Sequence, residues 1–255
     1  MGSTYQEMEQ TDIKARLYID APLAAGAGIA LPSDQMHYLL HVLRLSLGAA
    51  ISVFNGVDGE FNASISAVAR KQCSITIGDQ LRQQIYCRDL WLLFAPVKKA
   101  RLDFIAQKAS ELGVRVIWPV KTDYCQISRV NDDRLAANAI EAAEQTKRLD
   151  IAKIRSFDPL HDVLAACDDD RLFIWCDEAS AGHPALNITA ALATAERKNR
   201  LAAAVALRTE HLDSFQEATE IRGLVPPVRV PVRKSKLLVC LLYTSDAADE
   251  GLGVD

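Results

Sequence analysis

"DLWLLFAPVKKARLDFIAQKASELGVRVIWPV", residues 89–120, sets an apolar run, a turn, a helical periodicity and a second apolar run in series. Leu102, Ile105, Ala106, Ala109 and Leu112 fall at i, i+3, i+4, i+7 and i+10, which predicts a single buried stripe on a helix. Gly113 directly after it suits a left-handed C-cap. The flanking runs "DLWLLFAP" and "VRVIWPV" are short and apolar, as strands buried on both faces of a parallel sheet are. Strand, helix and strand in this order predict an α/β domain.

The same rhythm continues downstream. A helix is expected over about 132–149, then strand "KIRSF", then a helix over 159–166 with Asp158 as cap and Pro159 as its first residue. Strand "RLFIWCD", a helix over 184–198 and strand "LAAAVAL" follow. Upstream the pattern differs. "RLYID", "AAISVFNG", "GEFNASISAVA" and "QCSITIGDQL" read as short strands, with Phe61, Ala63, Ile65 and Ala67 on one side of the third. "NGVDG" at 55–59 is a tight hairpin connection, and "SDQMHYLLHVLRL" is a helix with Ser33 as N-cap. The expected organisation is a barrel-like β module over 16–86 and an α/β domain from 88, with the boundary near "LRQQIYCRD".

The chain has 255 residues, 49% hydrophobic and 24% charged, which is ordinary for a globular protein. No apolar run reaches the roughly 18 residues of a membrane span, and "MGSTYQEMEQ" is unlike a signal or transit peptide. Six cysteines lie far apart without a C-x-x-C, which argues for reduced thiols and a cytoplasmic setting rather than a disulfide framework or a zinc site. Net charge is −4, yet residues 87–155 carry 13 basic against 9 acidic groups, the only positive segment. Screening limits distant charges to a reach of about 10 Å, so a local basic face can still bind phosphates.

Lys98, Lys99 and Arg101 stand in the first helical turn, where the macrodipole already disfavours cations. They mark either a solvated helix end or a waiting anion such as phosphate. His37 and His41 have metal-ligand spacing, but Tyr38 occupies the place where a zincin needs glutamate, so no metal is expected. Arg44 on the same face suits a phosphate contact. The helix "DDRLAANAIEAAEQTKRLD" buries Leu135, Ala139, Ala142 and Leu149, and sets Glu141, Gln145 and Arg148 in a polar stripe with Glu144 beside it. Glu144 and Arg148 form an i, i+4 pair. With Lys98, Arg101 and Lys108 the stripe offers groups that read phosphates and base edges. No G-x-G-x-x-G, Walker loop or G-x-S-x-G occurs, which disfavours a nicotinamide enzyme, a P-loop ATPase and an α/β-hydrolase.

"HVLRL", "VFNGVDGEFNASI", "KKARLDFIAQKASELGV" and above all "EAAEQTKR" occur in this order. Together, over roughly 16–195, they resemble the bacterial ribosomal RNA small-subunit methyltransferase family E. These are uracil-N3 methyltransferases of the SPOUT, or trefoil-knot, superfamily. The resemblance implies a PUA-like RNA-binding barrel at 16–86 and a SPOUT methyltransferase domain at 88–239. It also implies S-adenosylmethionine as cofactor, a homodimer, and methylation of one small-subunit uridine at N3. By that resemblance Glu144 would take a proton and Arg148 would stabilise the uracil anion. Arg44, Lys98, Lys99, Arg101, Lys108, Gln145 and Arg148 would contact RNA. Cys176, Asp177, Glu178 and Glu210 would neighbour the cofactor; read as residues alone, the first three are simply a strand end.

The family pattern then breaks. After "LAAAVAL" a Gly-Pro-Glu-Gly-Gly turn is expected, where glycine lets backbone N–H groups approach the cofactor. This chain has "RTEHL" there, and prolines at 226, 227 and 231 make a poor buried strand. Residues 208–239 therefore read as aberrant, and 240–255, with "CLLYTSDAADE", read as a translated sequencing adapter. Three functions follow as expectations: an RNA methyltransferase, a non-catalytic RNA-binding protein that has lost its cofactor turn, and, most weakly, a Rossmann-type small-molecule enzyme.

Overall fold

The computed structural model describes residues 13–96, 99–122, 125, 127–167, 171–177, 201–205 and 228–231. The chain divides into two units. One comprises Met1–Tyr86 with Glu144–Asp150; the other comprises Cys87–Ala143 with Ile151–Asp255. The seven residues 144–150, read in sequence as part of the α/β domain, thus group with the N-terminal unit.

In the N-terminal unit β1 (Arg16–Tyr18), β2 (Gly28–Ala30), β3 (Ala50–Phe54), β4 (Glu60–Ala69) and β5 (Gln72–Arg82) form a sheet in the order β1-β3-β4-β5-β2. β1 runs parallel to β3 and the other neighbours are antiparallel. Alternation along β4 puts Phe61, Ala63 and Ile65 into a core with Leu17, Leu39, Ile51, Val53 and Ile75. Ala67, expected on that face, is exposed, because the ladder shifts register between Ile65 and Ala67. The connection at 55–59 closes as an Asx turn, with Asn55 Oδ1 accepting from the N–H groups of Val57 and Asp58.

The helix expected after Leu31 is shorter and mixed. α1 spans Ser33–His37 and runs into a π-helical turn, Tyr38–Val42. Its N-cap is Pro32 and no side chain caps it, so Ser33 is not the cap. Two residues past the turn, Arg44 has a φ of 56°, in the left-handed region.

In the α/β unit β6 (Leu90–Phe94), β7 (Val116–Lys121), β8 (Lys153–Ile154), β10 (Leu172–Asp177), β11 (Leu201–Val205) and β12 (Val228–Pro231) lie in the order β12-β10-β11-β6-β7-β8, with β9 (Asp158–Pro159) on β7. All these pairings are parallel. α2 (Lys99–Glu111) and α3 (Asp132–Thr146) bury Leu102, Ile105, Ala106, Ala109, Leu135 and Ala139 against Leu92, Phe94 and Ile117. α4 (Leu160–Ala165) buries Val163 and Leu164 against Leu93, Val116 and Trp118. Leu92 and Leu93 therefore serve opposite faces, as adjacent strand residues must. Each such leucine contributes about 1.5–3 kcal/mol by leaving water.

Several boundaries move. Gly113 ends α2 with φ 84°, but Leu112 stands 61% exposed because the stripe stops a turn earlier. α3 ends at Thr146 rather than 149, so Leu149 is buried from beyond the helix. Asp158 and Pro159 pair with β7; Pro159 is the N-cap of α4 and not its first residue. "KIRSF" shortens to two paired residues. The prolines that predicted a poor strand do not prevent β12, which lies at the sheet edge, where a missing N–H costs no ladder bond. The expected helix at 184–198 lies outside the described residues.

Candidate functional site

The "EQTKRLD" segment, 144–150, is held from several sides within the N-terminal unit. Strand parity brings five side chains to one face over two neighbouring rungs: Arg16 faces Ser52, Phe54 faces Glu60, and Glu60 faces Arg82. Glu60 is only 5% exposed. Its Oε1 accepts from Arg16 Nε at 2.9 Å and its Oε2 accepts from Arg82. Arg16 stacks over the Phe54 ring at 3.6 Å. Burial alone would raise the Glu60 pKa, but the Ser52 hydrogen bond and the two guanidinium groups outweigh it and hold the carboxyl below its ordinary value. Burial likewise lowers Arg16, against the pull of Glu60.

The same guanidinium groups reach the end of α3. Arg16 donates to the carbonyls of Glu144 (3.4 Å) and Arg148 (2.7 Å), and Arg82 donates to that of Lys147 (2.9 Å). Lys147 has φ 57°, a conformation costing a non-glycine residue about 1–2 kcal/mol. The Tyr18 N–H donates to Glu144 Oε1 at 2.8 Å. Arg148, past the helix end, forks onto Asp150 with Nε–Oδ1 at 2.7 Å and is 8% exposed. The polar stripe thus keeps Glu141 and exposed Gln145 on the helix, while Arg148 leaves that face. Arg44 is exposed in the same unit.

The basic residues of the α/β unit are placed in part. Lys98 and the cofactor candidates Glu178 and Glu210 lie outside the described residues. Lys99 opens α2 and Arg101 is half-buried in its first turn, with no acidic residue there. Lys108 is engaged by Glu111 at 2.8 Å. Arg134 forks onto Asp103, which also accepts from Asn138. Leu102, Ile127, Arg129, Asn131 and Arg134 line a cavity of about 270 Å³ beside these helices.

Cys176 and Asp177 end β10, with Val230 and Pro231 of β12 in register on one side. On the other side Leu172–Trp175 pair with Leu201–Ala204 of β11. Three parallel strands therefore bring their carboxyl ends to one edge, the usual place for a ligand in an open α/β sheet. Arg171, just before β10, is buried. It stacks on Trp91 at 3.7 Å and donates to Asp89 Oδ2 at 2.8 Å, while Trp91 Nε1 donates to Asp89 Oδ1. Burial would raise the Asp89 pKa, but Arg171 and Trp91 outweigh it and hold the carboxyl below its ordinary range.

Arg16, Glu60, Arg82, Asp89 and Arg171 were not singled out by sequence reasoning. The available signal was a charged residue at an inward strand position; identifying its partner needs the ladder register. Among the described residues no three His, Cys, Asp or Glu side chains group as metal ligands, and no helix is long and apolar enough to cross a membrane.

Comparison with known proteins adds two family matches, an RNA methyltransferase PUA domain over residues 31–78 and an RNA methyltransferase domain over 85–205. The chain is 38% identical over 135 residues to the ribosomal RNA small subunit methyltransferase E of Rickettsia conorii, covering 52% of this chain and 55% of the relative. It is 28% identical over 148 residues to the protein of that name from Buchnera aphidicola subsp. Acyrthosiphon pisum, covering 55% and 58%. The matches thus span little more than half the length of these curated relatives. A ribosomal RNA small subunit methyltransferase E from Neisseria gonorrhoeae, solved with S-adenosyl methionine bound, shares the fold at a TM-score of 0.73 and 19% identity, over 93% of this chain and 97% of that one.

Proposed function

We propose that this chain is a member of the ribosomal RNA small subunit methyltransferase E family, to which its matches point, and that it methylates small-subunit ribosomal RNA with S-adenosylmethionine, at N3 of a uridine. The observation that carries the reading is the succession of a PUA match and a methyltransferase match along one chain. A homodimer acting on the assembled small subunit in the cytoplasm completes the proposal.

The described part of the α/β unit fits the cofactor: β10, β11 and β12 leave a shared carboxyl edge, with Cys176 and Asp177 at its centre. Cys176, Asp177, Glu178 and Glu210 would hold it, and it supplies an electrophilic methyl group. Uracil N3 carries an imide proton and normally pairs, so the base has to be extruded before reaction. Glu144 is the proposed acceptor of that proton, and the Tyr18 N–H orients its carboxylate. Arg148 is the proposed cation beside the uracil anion. Its pairing with Asp150 fixes its orientation and also partly offsets its charge. Arg44, Lys98, Lys99, Arg101, Lys108 and Gln145 are proposed to hold the RNA, chiefly by its phosphates.

A second reading, an RNA-binding protein without turnover, is favoured by one sequence feature: Arg208-Thr209-Glu210 follows β11 where a glycine turn is expected. Calorimetric titration of the full chain with S-adenosylmethionine, followed by nucleoside mass spectrometry of treated small subunits, separates the two. Cofactor binding and N3-methyluridine support the enzyme. RNA binding without cofactor binding supports the second reading, and a different methylated nucleoside overturns the N3 assignment.

A further inference from the structure

α3 ends without a glycine. The Glu144 carbonyl in its last turn, and the Lys147 and Arg148 carbonyls just past its end, are met by side chains from the sheet. Arg16 comes from β1 and Arg82 from β5, strands separated in the sheet by β3 and β4. Neither arginine would hold this orientation unaided, because two guanidinium groups placed close together repel. Glu60, on the strand between β3 and β5, lies between them and takes one arginine on each carboxylate oxygen. Ser52 and the Phe54 ring complete the enclosure. Each arginine thus bridges one carboxylate to the backbone of 144–148, a use of the planar fork that lysine cannot reproduce.

We propose that Glu60, Arg16 and Arg82 are positioning residues: a three-residue charge clamp that sets where α3 stops and fixes the conformation of Glu144–Arg148. None of the three needs to touch substrate. The role in catalysis rests on the function proposed above, because that function assigns the reaction to Glu144 and Arg148. The clamp stands on contacts within the N-terminal unit alone. An ordinary core ion pair would make a different prediction, since its loss would loosen β3 and β4 as much as the segment they hold.

Hydrogen–deuterium exchange of the full chain tests this without RNA or cofactor. Glu60→Gln keeps the shape and removes the charge. It is expected to speed exchange across 144–150 about tenfold, the effect of about 1.4 kcal/mol, while amides of β3 and β4 change less than about twofold. Glu60→Asp, which restores the charge, should return the segment to within about threefold of the parent. Arg82→Gln, on a partly exposed arginine, provides a second arm should the Glu60 variants unfold. It should speed exchange over 146–150 alone. An unchanged segment in a folded variant, uniform loosening of the whole unit, or an aspartate variant no better than glutamine overturns the clamp. Methylation assays on the same proteins report separately. A loss in kcat with KM for RNA unchanged supports positioning, whereas full kcat on a loosened segment overturns it. A parent chain without turnover counts against the function proposed above, and exchange alone then decides the clamp.

Discussion

The Arg148 guanidinium is tied to the Asp150 carboxylate, Nε to Oδ1 at 2.7 Å, with both side chains some 95% buried (6% and 5% exposed). Two residues that sequence spacing places on an exposed helix face and just beyond it form an inward pair instead. A buried ion pair adds little by itself, but removing one partner strands the other charge at a cost of about 3–5 kcal/mol. Asp150→Ala should therefore destabilise the N-terminal unit by about that amount, read as a lower urea midpoint with an unchanged slope. A loss below about 1 kcal/mol, the range of surface pairs, would show that Arg148 finds solvent or another acceptor.

Acid should loosen the N-terminal unit in a defined window. Glu60 titrates below the ordinary glutamate value of 4.5, so the unfolded chain takes up its proton first as pH falls. The stability Glu60 contributes is full above about 4.5 and is lost as pH drops toward its folded value. Asp58, lowered by hydrogen bonds from the Leu23 N–H and Asn55, adds to the same slope. Urea titrations between pH 3 and 6, chosen to bracket that window, should show Glu60→Gln flatter than the parent, with a residual slope from Asp58.

Gly59 couples the hairpin to the clamp. Its φ is 97°, and a Cβ there would lie 2.3 Å from the Arg82 carbonyl oxygen, which is backbone and cannot swing aside. Gly59→Ala should cost about 1–3 kcal/mol through strain at this position. It should also displace Arg82 from Lys147. Thermal unfolding checks the first, and exchange over 146–150 the second.

Cations at the start of α2 are expected to contact phosphates. Replacing Lys98 and Arg101 by glutamate should weaken binding to a small-subunit RNA fragment and reduce its salt slope by about 0.7–0.9 per lost contact. Unchanged affinity and slope in a folded double variant would dismiss this face.

Replacing the residues after β11 with Gly-Pro-Glu-Gly-Gly, together with a family-type C-terminus, should raise affinity for S-adenosylmethionine in calorimetry. The reason is backbone access, which glycine permits more closely than residues with side chains. Equal affinity before and after would show that Arg208 and Thr209 do not stand in the way.

What could be read from residues alone was what neighbours in the chain decide. The stripe Leu102, Ile105, Ala106 and Ala109, and the stop at Gly113, depend on contacts within a few turns, and so did the alternation of β4 up to its register shift. The apolar runs "LWLLF" and "VIWPV" announced a sheet covered on two faces, because no solvated strand tolerates that composition. The matching face of "EQTKRLD" was not readable. Helix propensity carries on past Thr146, and the carbonyl partners that favour stopping there include Arg16 and Arg82, 128 to 132 and 65 residues away. Pro231 in a strand was equally hidden, since whether its missing N–H costs a bond depends on β12 being an edge. Local periodicity is written in consecutive side chains, whereas the ends of elements are set by which donors the folded sheet delivers to them.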